Sequence, residues 1–291
     1  MPTGQCRLCR AHSELQLSHI LPAFVFRWLR SSGSGYMRGV GDPNRRVQDG
    51  PKLYWLCSSC EELLSVSEGQ FASKLFHPVT NDSKKTVRYS SWLMHFCTSL
   101  SWRVLRFHLE QNKWDGWSED SMARVHNAEL MWREVLLGTL PHAGLLQQHI
   151  LPLSSIERAG GALAPNINRY LLRAVDIDVL RSEKAIYTYA KLGRFVVLGF
   201  IHEPNMGSWG GTKVLANEGF IEPERLTIPA SLWRYLNEKA ASTTEAFSSM
   251  SAAQQAKILK SVETNVDRLI DSDAFAAMHA DVAMFGDAAF K

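Results

Sequence analysis

The sequence predicts an α+β fold, and three observations carry that prediction. Two Cys-x-x-Cys pairs, Cys6/Cys9 and Cys57/Cys60, bracket short stretches of alternating polar and apolar residues. In the middle of the chain, apolar residues recur at three- and four-residue spacing. In the C-terminal half, runs rich in β-branched and aromatic residues are joined by a short connection, and helical periodicity follows them. A two-residue gap lets both thiolates of a tight turn reach one Zn²⁺ ion at about 2.3 Å, so two such pairs can close a tetrahedral site. The predicted architecture is a zinc-braced N-terminal ββα unit, a helical middle, and a small antiparallel sheet with C-terminal helices.

At 291 residues the chain exceeds one typical domain. The expected divisions are residues 1–80, a helical region at 81–145 that packs on the first, and an α+β part at 146–291. An apolar content of 45% supplies a sizeable core. No apolar run approaches the ~20 residues of a membrane span, so no membrane partner is expected. Polar Gly4-Gln5-Cys6-Arg7 leaves no room for a secretory h-region. The expected setting is the reducing cytoplasm, where paired cysteines hold metal more often than they form disulfides. Cys97, the odd cysteine, sits in an apolar helical stretch and reads as a small buried hydrophobe. Net charge is only +3, yet residues 1–57 carry eight basic and three acidic side chains. A basic segment of that kind suits contact with phosphates.

In chain order, Cys6 to Arg10 forms a knuckle. Residues 14–19 alternate and make a short strand that ends in His19, before Pro22. Residues 23–29 make a turn or two of helix. Residues 41–50 are full of turn formers and read as a loop. Residues 52–56 form a second strand, and Ser58 or Ser59 can cap a helix starting near Cys60 and ending at His77-Pro78. Knuckle, strand, loop, strand, knuckle and helix, in that order, are the arrangement of a treble clef. Residues 84–110 are a long helix candidate, with Trp92, Phe96, Leu100, Val104 and Phe107 on one stripe. A break at 112–118 precedes a helix over 121–140, and 141–165 is irregular. Residues 185–190 and 193–201 read as a hairpin, with shorter strands at 209–215 and 218–228. Helices return from Pro229 onward.

Residues 6–61 resemble an HNH endonuclease domain, the ββα-metal type built on a treble clef. The resemblance rests on Cys6/Cys9, on Ser18-His19-Ile20-Leu21-Pro22, and on Leu56-Cys57-Ser58-Ser59-Cys60-Glu61. It implies that Cys6, Cys9, Cys57 and Cys60 bind a structural Zn²⁺ and that His19 is the general base. Asn44 best matches the asparagine that orients that histidine, with Gln48 as a second candidate. Glu61 stands where the family has its last histidine, a ligand of the catalytic metal. Ser18 stands where a metal-binding aspartate or histidine is usual. A carboxylate at 61 suits Mg²⁺ or Mn²⁺. Glu68, two turns along the same helix face, is a further candidate ligand, as are Asp49, Glu62 and His77.

The function expected from this resemblance is metal-dependent hydrolysis of phosphodiester bonds in DNA or RNA. An added sensing part on such a nuclease would suit a bacterial defence system. The competing expectation is a catalytically silent zinc module that binds nucleic acid or a protein partner, and the serine at 18 favours it. A third expectation is a scaffold or sensor in which residues 84–291 bind a ligand, a protein partner or a second copy of the chain, and the zinc unit is only structural. Trp114, Trp117 and Trp209 read as core residues before they read as base-stacking platforms.

Overall fold

The computed structural model describes residues 1–290 other than 34, 36, 82–85, 113, 159–160, 223–224 and 265. It is an α+β chain. Strands β1 (Thr3–Gln5), β2 (His12–His19) and β5 (Lys52–Cys57) form an antiparallel sheet in the order β1-β2-β5. Helix α1 (Ala23–Ser31) and the hairpin β3 (Met37–Gly39) and β4 (Asp42–Val47) lie between β2 and β5 in sequence. The 41–50 segment, expected as loop, therefore supplies a strand. Its Asp and Asn turn at the hairpin tip, and Arg46 and Val47 pair with Arg38 and Met37.

Helix α2 (Ser58–Phe71) follows β5 directly, with Cys57 at its N-cap. Neither Ser58 nor Ser59 caps it by side chain, because both already lie inside the first turn. The helix does not end at His77-Pro78. It passes through a π-helical turn (Ala72–Phe76) into α3 (His77–Asn81), so Pro78 directly follows the π turn instead of ending the helix.

The predicted 84–110 helix begins later than expected. Residues 84 and 85 lie outside the described set, and Val87–Ser90 is strand β6, paired with β11 (Glu218–Ile221). Helix α4 (Ser91–Gln111) then runs to Asn112, whose left-handed conformation ends it. Helix α5 (Glu119–Leu136) starts with a Ser118 side-chain cap on the Ser121 amide.

Inside the stretch expected to be irregular lies β7 (Gln148–Pro152), every residue of it buried. After α6 (Ile167–Arg173), strands β8 (Val175–Arg181), β9 (Ile186–Leu192) and β10 (Phe195–His202) complete a four-stranded antiparallel sheet in the order β7-β10-β9-β8. The hairpin turn is Gly193-Arg194 rather than Lys191-Leu192-Gly193, and Gly193 takes a φ of +57° there. The 209–215 stretch contributes an isolated bridge from Lys213 to His149 instead of a strand. Helices α7 (Ala230–Ser248), α8 (Ala252–Thr264), α9 (Val266–Ile270) and α10 (Asp273–Phe285) close the chain.

The sheet is covered on both faces. Along β10, Phe195 and Val197 join the cluster that contains Phe96 and Leu100 of α4. Val196, Leu198 and Phe200 join the cluster that contains Tyr170 of α6 and Leu232 and Leu236 of α7. This is the period-two alternation of a strand with two apolar neighbours. Helix α4 comes close enough to β10 that a Cβ on Gly199 would stand 2.5 Å from Ser101 Oγ. The other side of α4 meets α2, where Phe71 and Phe96 stack at 3.9 Å. One cluster thus draws on Leu21, Phe71, Phe96 and Phe195, from all three of the expected divisions. Trp209 is 3% exposed and packs on Phe200 and Tyr187, and Trp114 packs edge-on against Trp117. Cys97 is fully buried, as expected. No described helix is long and apolar enough to cross a membrane.

Candidate metal centre and the His19 corner

Two knuckles bring four sulfurs together. In the first, the Cys6 amide donates to the Ala11 carbonyl at 2.8 Å, and Arg10 turns the chain at a φ of +66°. The Arg7 amide donates to Trp55, fastening this knuckle to β5. In the second, Cys57 ends β5 and Cys60 falls in the first turn of α2. The Sγ atoms of Cys6, Cys9, Cys57 and Cys60 all lie within 4.8 Å of one another, and Cys9 and Cys57 are 3.8 Å apart. Four sulfurs at about 2.3 Å around a tetrahedral ion are separated by about 3.8 Å, so this donor set fits Zn²⁺. The Cys57 amide also donates to Cys6 Sγ at 3.4 Å, a contact that favours a thiolate there.

The knuckles are anchored to the helices behind them. Arg7 meets Glu110 of α4 at 2.8 Å, and the indole of Trp55 donates to the same carboxylate at 2.9 Å. Arg10 reaches Glu129 of α5 at 3.7 Å, which also accepts from Trp102.

At the far end of β2, Ser18 and His19 point to different partners, as neighbours on a strand must. Ser18 is 1% exposed, and its hydroxyl donates to Glu61 Oε2 at 2.9 Å. His19 remains partly exposed, with Nε2 3.0 Å from Asp49 Oδ2. Asp49 also meets the Lys52 ammonium at 2.6 Å, and its Oδ1 accepts from the Gly50 amide. Partial burial alone would raise the Asp49 pKa. The hydrogen bonds from Lys52, His19 and Gly50 outweigh it and hold the carboxyl at about 2. Asp49 is thus ionised at neutral pH and accepts a proton bond from Nε2–H. In the Nε2–H tautomer, Nδ1 is the ring nitrogen that can accept a proton.

The backbone around this pair is fixed from two sides. The Phe26 ring of α1 packs on Gly50 so closely that a Cβ there would stand 2.2 Å from it. From α4, Arg103 donates to the His19 carbonyl at 3.2 Å and meets Glu68 of α2 at 2.5 Å. Arg103 is 4% exposed. A buried guanidinium needs such a partner, and here it ties β2, α2 and α4 together.

Of the residues singled out in the sequence, the structure gathers His19, Ser18, Glu61 and Glu68 around the end of β2 and the face of α2. Glu68 is engaged by Arg103. Asn44 lies on β4, and its Oδ1 accepts from the Ser251 amide at the start of α8. Gln48 offers its carbonyl to Arg30. Among the described residues, Asp49 is the one whose side chain hydrogen-bonds the His19 imidazole. Glu62 is exposed, and His77 packs between Phe24 and Phe76. Two participants carried no assigned role in the sequence, Lys52 and Arg103. Arg103 had a visible signal, a lone cation in the run Leu100-Ser-Trp-Arg-Val-Leu105 of an otherwise apolar helix face.

Comparison of the chain with protein-family models, with curated proteins and with solved structures found no match.

Proposed function

We propose that the chain is a metal-dependent phosphodiesterase of the HNH type acting on nucleic acid, and that its N-terminal unit is a treble clef. The observation that carries this reading is the His19–Asp49 pair, set at the end of a strand whose neighbours are braced by four cysteines. In this reading Zn²⁺ bound by Cys6, Cys9, Cys57 and Cys60 is structural. A neutral His19, held in one tautomer by an ionised Asp49, takes a proton from water through Nδ1. Asp49 fills the orienting role that the resemblance gave to Asn44 or Gln48. In this reading Glu61 would supply a carboxylate to Mg²⁺ or Mn²⁺, and the ion would stabilise charge developing on the phosphate and the leaving oxygen. Ser18 aligns Glu61 through its hydroxyl. Arg103 keeps the His19 backbone in register with α2.

A second reading, a silent zinc module that binds nucleic acid or protein, is favoured by one specific observation. The acidic groups of this corner are occupied: Glu68 by Arg103, Asp49 by Lys52 and Glu61 by Ser18. The deciding experiment incubates the zinc-loaded protein with plasmid DNA, single-stranded DNA and RNA across Mg²⁺, Mn²⁺ and Ni²⁺. His19→Ala, first shown to keep its zinc and its melting curve, runs alongside. Cleavage by the wild type that disappears in the variant supports the nuclease. Equal cleavage by both, or cleavage by neither, rejects it in favour of the binding module.

A further inference from the structure

A cleft of about 630 Å³ opens between α6, α7, α8 and the last residues of the chain. That size suits a metabolite, since small-molecule pockets run from about 300 to 1,000 Å³. Tyr170, Phe247 and Phe290 give it an aromatic wall, and Thr243 and Thr244 give it hydroxyls.

Two polar side chains in the lining want a ligand. Asn166 is 5% exposed, and its amide nitrogen donates to the Ala240 carbonyl at 2.7 Å. Among the described residues its Oδ1 has no donor. A buried amide oxygen left without a donor is costly, and an N–H or O–H from a ligand would remove that cost. Arg173 is the second. Its guanidinium donates to Ser32 Oγ at 3.0 Å and to the Leu29 carbonyl at 3.1 Å, both neutral acceptors. The one described carboxylate within reach, Asp273, stands 4.0 Å away. The Trp28 ring lies 4.9 Å from its guanidinium carbon, and burial still presses the Arg173 pKa down to about 10 against the pull of Asp273. The neighbouring Arg169 differs, because Asp281 holds it at 2.8 Å and neutralises it.

We propose that this cleft binds a small organic anion with a planar ring that carries an N–H, the chemistry of a nucleoside monophosphate. The ring lies on the aromatic wall, its N–H reaches Asn166 Oδ1, and the phosphate compensates Arg173. Neither this chemistry nor its test depends on the nuclease reading. The two are nevertheless adjacent. A second cleft of about 650 Å³ shares Tyr170, Arg173, Ala174, Thr243 and Phe247 with the first, and its lining includes Asp49. An occupant is thus one cavity removed from the carboxylate that holds His19.

The test is titration calorimetry of the full zinc-loaded chain with the four common nucleoside 5′-monophosphates, with adenosine and with inorganic phosphate. At least one monophosphate should bind at one site per chain, about tenfold or more tighter than adenosine or phosphate, because ring and anion contribute together. Gln255 is exposed at the cleft on α8 and its side-chain amide donates to the Met250 carbonyl at 3.0 Å, so Gln255→Glu gives up one surface hydrogen bond and should still fold, as its melting curve will check. The added like charge should weaken monophosphate binding by about tenfold. Thr243→Trp fills the cleft and should abolish binding. If it fails to fold, Gln255→Glu decides alone. Absence of binding by all four monophosphates overturns the proposal. Binding indifferent to the cleft substitutions overturns it as well, and so does phosphate binding as tightly as any nucleotide.

Discussion

The Nε2 atom of His19 stands 3.0 Å from Oδ2 of Asp49, and the two residues sit 30 positions apart on either side of a helix and a hairpin. A strand end and a turn before the next strand meet because β2 and β5 pair with His19 opposite Lys52. That register brings the Lys52 ammonium to the same carboxylate.

Asp49→Asn should therefore change the acid limb of stability. The native carboxyl sits at about 2 and its usual value is 3.8. A depressed carboxyl stabilises the fold fully above pH 4, and that contribution is lost as pH falls toward 2. The side chain is about one-third exposed, so after solvent screening the effect is about 1 kcal/mol. Urea melts from pH 2 to pH 7 should show the wild type losing this increment in that window, while the variant lacks it throughout. If the nuclease reading holds, the same variant loses cleavage at pH 7 with its zinc retained.

Removing the Arg103 side chain should be costly for a different reason. Arg103→Met leaves the Glu68 carboxylate and the His19 carbonyl without their buried donor. The expected loss is about 3–5 kcal/mol. Arg103→Met with Glu68→Leu removes both charges and should recover much of it. A double-mutant cycle in urea should return a coupling energy of about 1–3 kcal/mol, and additivity would show that the two side chains act independently.

The four-sulfur site should hold one zinc per chain by elemental analysis. Small zinc modules draw on the order of 10 kcal/mol of folding free energy from the metal. Chelation, or Cys57→Ser, should unfold the β1-β2-β5 unit. Trp55 is 2% exposed and lies edge-on to Trp102 at 6.4 Å, so tryptophan emission should shift to the red as the unit opens. Unchanged emission after complete metal loss would refute a structural role for the ion.

His149 should destabilise the fold in mild acid. Its ring stacks on Phe200 at 4.0 Å, and Nδ1 lies 2.7 Å from Thr212 Oγ1. The Thr212 hydroxyl already donates to the Trp209 carbonyl, so it accepts from Nδ1–H. Nε2 is the bare nitrogen and has no hydrogen-bond partner among the described residues. Burial first, then Lys213, lowers the pKa to about 4. The unfolded chain takes up a proton below about pH 6.5 and the native state does not until pH 4. Stability therefore falls across that window, by on the order of 3 kcal/mol in full. Chemical melts at pH 7 and pH 4.5 should separate wild type from His149→Phe, whose stability should change less.

The sequence made the sulfur site legible because its chemistry is local, with two pairs at fixed spacing and a strand or helix attached to each. It made the α4 stripe legible because Trp92, Phe96, Leu100 and Val104 obey one period. It hid β7 because Gln148-His-Ile-Leu-Pro152 is short, flanked by glycine and proline, and buried on both faces, so no alternation marks it. It hid β8 for another reason. Val175-Asp-Ile-Asp-Val179 does alternate, but the run is short and its two aspartates deplete a strand, and their ion pairs with Lys239 exist only once α7 has folded over them. Asp49 was within reach as an acidic neighbour of His19. Its contact with the imidazole depends on the β2–β5 register, which no local pattern encodes.

Between Trp92 and Leu105, all of helix α4 but the half-buried Met94 and His95 is buried, with α2 on one side and the β7–β10 sheet on the other. During synthesis from the N-terminus, that helix leaves the ribosome before any strand of the sheet exists. At about 5–20 residues per second, several seconds pass before β10 is available to cover it. For that interval Phe96, Leu100 and Val104 have no partner on their sheet side. The growing chain is most prone to aggregation while it waits for strands that arrive about a hundred residues later.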